Sequence, residues 1–104
     1  MIVSMTETVP GRNIETVLGL ARGNVVRARF FGRDIVAGLR NIVGGEVPEY
    51  TKLMAESRDQ ALDRMVADAD AMGADAVVSV RFSTSMIMAG SAEILAYGTA
   101  VRLS

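Results

Sequence analysis

Apolar and polar positions alternate along this chain in two periods, and the switches between them mark its elements. "IVSM" at 2–5 predicts a short strand, and Pro10-Gly11 a turn. Residues 14–30 hold features of both kinds. Ile14, Val17, Leu18 and Ala21 fit a helical stripe, but Gly19 and Gly23 disfavour a helix. Val26, Ala28 and Phe30 then alternate with Arg27 and Arg29, so the segment reads as a strand bent at Gly23. In "GRDIVAGLRNIVGG" the period changes. Ile35, Val36, Leu39, Ile42 and Val43 make one helical face, which Gly44 can end. A second, longer helix is predicted over 48–72. Pro48 suits its first turn, and Gly73 stops it. Its apolar stripe runs through Tyr50, Leu53, Met54, Ala61, Leu62, Met65, Val66, Ala69 and Met72, with Lys52/Glu56 and Arg64/Asp68 paired on the wet side.

The last third returns to period two. "ADAVVSVRF" predicts a strand with Ala76, Val78, Val80 and Phe82 on one face; Val77, Ser79 and Arg81 take the other. "STSMIMAGS" crosses to a final strand at about 92–103. One face of that strand carries Glu93, Leu95, Tyr97, Thr99, Val101 and Leu103. The other carries Ala92, Ile94, Ala96, Gly98, Ala100 and Arg102. Neither face is wet for most of its length, so both are expected to be covered. The second face is small enough for a helix or another sheet to approach closely. A charge there, at Ala96 for example, is expected to give unfolded or aggregated protein if other copies cover it. The element order predicts one α+β domain over 1–104, a largely antiparallel sheet with two helices packed on one side.

Composition sharpens this picture. Half of the 104 residues are hydrophobic and the mean hydropathy is +0.29. A chain this short buries only part of its apolar surface by folding alone. No stretch approaches the roughly 20 apolar residues of a spanning helix, and the N-terminus lacks a basic segment followed by an apolar one. The excess therefore points to contact with other copies, in the cytoplasm, without a membrane. There are no Cys and no His, which excludes thiolate and imidazole mechanisms and the usual zinc ligands. Net charge is −1, with +3 on residues 1–45 and −4 on 46–104, an asymmetry that complementary subunit faces could use. Arg27, Arg29 and Arg33 come with one Lys and 5% aromatics, so no nucleic-acid surface is expected. "IVGGE" lacks the ending of a phosphate loop.

Three stretches carry a resemblance: "TVPGRNIETVLGLARGNVVRAR", "AGLRNIVGGEVPEYT" and "GADAVVSVRFSTSMIMAGSAEILAYGTAV". Together they resemble the YbjQ-like family, whose label is heavy-metal binding, over nearly the whole chain. The resemblance implies a small α+β fold that closes into a homo-oligomeric ring, a pentamer foremost. It implies little about activity.

Candidate metal ligands are Met86, Met88 and Glu93. Two thioethers two residues apart on a strand suit Cu(I), and Met is equally an adaptable filler of cores and interfaces. Glu93 stands between Ala92 and Ile94, where an unpaired carboxylate is costly to bury. It could bind a cation at a ring axis, pair with Arg81 or Arg102, or meet water. Asp63, Asp68, Asp70 and Asp75 gather at the end of the long helix, where a cation would offset the dipole. A carboxylate-based enzyme is the remaining alternative, but no carboxylate pair is legible. The sequence thus predicts a non-catalytic homo-oligomer with sites between subunits, no catalytic residue, and no cofactor beyond a metal ion.

Overall fold

The computed structural model describes residues 1–27, 48–88 and 91–104, without the side chains of 48–50 and 88. In chain order the described elements are β1 (Ile2–Val3), β2 (Ile14–Arg27), α1 (Pro48–Ala71), β3 (Ala76–Met88) and β4 (Ser91–Leu103). They form a four-stranded mixed sheet of order β1-β3-β4-β2, with α1 packed on one face. Only β1 pairs in parallel, with the start of β3; β4 pairs antiparallel with β3 on one side and β2 on the other. The helix expected within residues 32–45 lies outside the described residues.

α1 follows the predicted boundaries because Pro48 opens its first turn and Gly73 stops it. After Ala71 the chain closes a Schellman turn: Gly73 N–H donates to Asp70 C=O and Ala74 N–H to Ala69 C=O. Gly73 supplies the left-handed residue that this turn needs, at φ 80°. Ala61, Met65 and Ala69 are buried, with Met54, Leu62, Val66 and Met72 packed beside them. Ser57 is also wholly buried, a polar position within the apolar stripe. Its hydroxyl donates to Leu53 C=O at 2.8 Å and accepts a bond from Arg27 Nε at 2.6 Å, so its desolvation is compensated.

The small face of β4 is confirmed, and the chain's own helix covers it. Ile94, Ala96 and Ala100 are buried under α1 with Ala21 and Val25 of β2 and Val77 and Val80 of β3. At Gly23 the helix backbone meets the strand: a Cβ there would fall 2.5 Å from Ala61 O and closer still to Met65 N. Gly23 is therefore a point of close approach, which corrects the expected bend. The irregularities of β2 fall between Ile14 and Thr16 and between Val17 and Gly19. The face assignment of β2 is also corrected. Val25 points into the core, while Val26 is 52% exposed on the opposite face.

On β3 the expected alternation breaks at Ser79, which has φ 55°. The register slips between Val78 and Arg81, so one extra residue is accommodated as a bulge. Val77 and Val80 thus face α1, whereas Ala76 and Val78 join Val9, Val101 and Leu103 in a second cluster on the other side. Phe82 shares the helix side with Val80 instead of the side of Val78, because it pairs with Ala96. The stretch expected to cross between strands is itself strand: β3 continues through to Met88.

The Arg64/Asp68 pair also works differently from the expectation. Arg64 Nη1 donates to Asn24 C=O at 2.6 Å, and Asp68 Oδ2 accepts a bond from Arg22 N–H at 3.0 Å. Both side chains satisfy backbone groups along the outer edge of β2, so α1 caps that edge. The Cα radius of gyration is 16.9 Å and the extents are 54 × 23 × 16 Å. A compact chain of this length would have a radius near about 13 Å.

Candidate functional site

The half of the sheet farthest from β1 holds the exposed chemistry. On its β3 side, the N-terminal segment pairs only as far as Val80: Ser79 N–H donates to Thr6 C=O and Val80 N–H to Ser4 C=O. Beyond that point the outer edge of β3 reads "FSTSMIM", residues 82–88. It has no charge, no Gly and no Pro. Phe82 and Ile87 are exposed, and Met86 is 82% exposed.

Register separates the three predicted metal ligands. Glu93 pairs with Ser85 on β3 and Val26 on β2, so all three lie on the face away from α1. Met86 pairs with Ala92 and lies on the helix side. Met88 pairs with Ser91 across a second register shift, between Met86 and Met88. The two-residue spacing of the methionines therefore does not run through regular strand. Glu93 is half-buried and accepts a hydrogen bond from Asn24 Nδ2 at 3.1 Å. The two arginines weighed as its partners are engaged with carbonyls. Arg81 Nη1 donates to Met5 and Val80, and Arg102 Nε to Gly73.

The acidic group at the end of α1 is likewise used by the fold. Asp68 holds the Arg22 amide, and Asp75 Oδ2 accepts a bond from Leu103 N–H at 2.9 Å. Among the described residues, no three His, Cys, Asp or Glu side chains gather closely enough to hold a metal ion. Arg27, read as one of a basic trio, instead ties β2 to the helix through Ser57 and through Gln60 at 2.8 Å; Arg29 and Arg33 lie outside the described residues.

Sequence reasoning missed one arrangement on the face away from α1. At one end this face is closed by the cluster around Val9. Leu20 beside this cluster and Val26 at the other end are more than half exposed. Between them Tyr97 pairs with Arg22 on β2 and with Arg81 on β3, giving a row Arg22-Tyr97-Arg81 across three strands. Period-two reading puts Arg81 on the face of Val77 and opposite Val78; the bulge at Ser79 corrects this and sets Arg81 on the face of Val78, beside Tyr97.

A mixed sheet with one described helix packed on one face, and with no three His, Cys, Asp or Glu side chains gathered among the described residues, defines a small α+β domain. Comparison with known proteins specifies it further: the chain belongs to the YbjQ family, whose model, described as "Putative heavy-metal-binding", matches residues 1–104. A UPF0145 protein of Methanosarcina acetivorans is 57% identical over 99% of this chain and 97% of its own length. One from Archaeoglobus fulgidus is 58% identical over 99% and 95%, and one from Halorubrum lacusprofundi 59% identical over 99% of each. The fold is shared with a crystal structure from Pediococcus pentosaceus, a protein of unknown function in the DUF74 family. The TM-score is 0.63 at 14% identity, covering 100% of this chain and 98% of that one. No helix among the described residues is long and apolar enough to cross a membrane.

Proposed function

We propose that the protein is a non-catalytic homo-oligomer, a binding or scaffolding unit whose copies close into a ring with sites between subunits. The observation that carries this reading is the outer edge of β3. Seven residues without charge, Pro or Gly lie along an edge that pairs with no other described residue, with Phe82, Met86 and Ile87 exposed beside it. Natural edge strands that stay single carry charges, prolines or bulges that discourage pairing. This one carries a bulge before its open stretch, at Ser79, and an irregularity only at its tip. A second copy is the occupant that explains both the edge and the elongated shape. Sedimentation equilibrium at low micromolar concentration tests the reading. The expected result is a mass several times 11.1 kDa, and a monodisperse monomer overturns it.

A second reading comes from the family description and the high exposure of Met86. Met86, with Met88, would bind a soft cation such as Cu(I), and Glu93 would act separately, on the other face. Competition against a Cu(I) chelator under anaerobic conditions tests it. Uptake should disappear in the Met86→Leu, Met88→Leu double variant, and unchanged uptake removes the thioether site.

A further inference from the structure

Arg22, Tyr97 and Arg81 stand side by side because of a strained residue elsewhere. Ser79 has the left-handed backbone, at φ 55°, that is costly for a non-glycine residue. Outliers of this kind persist where the surrounding structure holds them, and bulges often re-aim a side chain. Here the bulge sets the facing of the later residues of β3. With regular pairing after Val77, which faces α1, Arg81 would also face α1. The extra residue turns Arg81 to the opposite face, beside Tyr97. The bulge is fixed by the N-terminal segment through the Ser79 and Val80 amides.

The result is two like charges on either side of one aromatic ring. Two strand spacings separate the Cα atoms of Arg22 and Arg81, about 10 Å. Arg81 is held by one nitrogen, with Nη1 donating to Met5 C=O at 3.0 Å and Val80 C=O at 2.9 Å. Its Nε and Nη2 form no hydrogen bond with the described residues, and neither does the Arg22 guanidinium. Of the strand positions that the register places on this face, Glu93 is the one carboxylate, and Asn24 bonds it. Leu20 and Leu95 border the row with apolar surface.

We propose that the Arg22-Tyr97-Arg81 row binds a small organic anion with a planar ring. The ring lies over Tyr97, and its phosphate or carboxylate is taken by the guanidinium donors, whose planar forks suit such groups. This site is independent of the β3 edge and of the Met86 and Glu93 candidates.

Titration of the intact protein with AMP, followed by calorimetry and amide NMR, tests it; inorganic phosphate and adenosine are the controls. AMP should bind saturably and shift the amides of Arg22, Arg81 and Tyr97. Phosphate should bind more weakly and adenosine weakest. Arg22→Gln should weaken AMP by about tenfold or more, since a charge-assisted hydrogen bond is worth about 1.5–3 kcal/mol. That variant keeps the Arg22 amide on Asp68, so the fold is retained. Arg81→Gln should act in the same direction. Absence of saturable AMP binding, adenosine matching AMP, or an Arg22→Gln protein that binds AMP normally would each overturn the proposal. Phosphate matching AMP would overturn the part given to Tyr97. Sedimentation of the same samples reads the assembly separately, so failure of one reading leaves the other standing.

Discussion

A methyl group added at Gly23 would land within the backbone of α1, against Ala61 O and Met65 N. Backbone atoms cannot swing aside as a flexible side-chain end can, so the helix must lift off the strand. Overpacking of this kind costs about 1–3 kcal/mol, occasionally more. With a shift of about 4–8 °C per kcal/mol for a domain of this size, Gly23→Ala should lower the melting temperature by at least about 4 °C and up to about 20 °C. Thermal denaturation at fixed protein concentration checks this, since any assembly makes the midpoint concentration-dependent. A midpoint within 2 or 3 degrees (roughly the effect of half a kcal/mol) would mean that α1 does not rest on β2 here. Ser79 predicts the opposite sign. Its φ of 55° suits glycine, so Ser79→Gly should hold or raise stability. Ser79→Val should lower it by about 1 kcal/mol or more, because a β-branched residue tolerates that backbone worst. If valine and glycine there melt alike, Ser79 is not in the left-handed region and the bulge loses its basis.

Between elements, the decisive contacts are those of Arg64 and Asp68 with the rim of β2. Each meets a backbone group that would otherwise seek water or another strand. Asp68→Ala should speed hydrogen exchange of the Arg22 amide by about tenfold or more, the equivalent of one hydrogen bond of about 1.5 kcal/mol. Exchange unchanged by the substitution would show that Asp68 does not cap the edge. The helix that provides these contacts was legible in the sequence because a 3.6-residue stripe, Pro48 and Gly73 all agree on it. The two faces of β4 were legible too, since each alternation is consistent from Ala92 to Leu103. What covers the small face was not. Ala96 lies under the chain's own α1, so a charge there would break the monomer's core and would say nothing about neighbours. The faces of β2 and β3 were misread for different reasons. On β2, Val25 and Val26 are both apolar, so alternation alone does not choose the buried one; on β3, a single inserted residue reverses every later side chain, and the slip at Ser79 has no sequence signature. The Arg22-Tyr97-Arg81 row arises from such a slip, so periodicity alone could not find it. Met86, Met88 and Glu93 were found because their residue types are conspicuous, yet register puts Met86 and Glu93 on opposite faces.

For the molecule as a whole, the question is why one of the described strand edges carries so little that would discourage pairing. The rim of β2 is capped at Arg22 and Asn24 by helix side chains. The start of β3 is paired with residues 2–6. Among the described residues, the stretch from Phe82 to Met88 is the longest run of edge strand without a charge, Gly or Pro, and Phe82, Met86 and Ile87 are exposed along it. Edge pairing rewards each added backbone hydrogen bond, while a lysine placed on the edge makes a second strand costly. Thr84 is exposed, pairs with Ile94, and lies midway along the bare edge. Thr84→Lys should therefore leave the fold intact, with an unchanged far-UV spectrum, and shift sedimentation toward smaller species. An equivalent charge on the wet side of α1, such as Gln60→Lys, would disturb the Arg27 contact, so Thr51→Lys at the exposed start of the helix is the better control. If Thr84→Lys and Thr51→Lys sediment like the parent, the edge of β3 is not where copies meet. If the Thr84 variant alone dissociates, the uncharged run from Phe82 is the seam of the assembly.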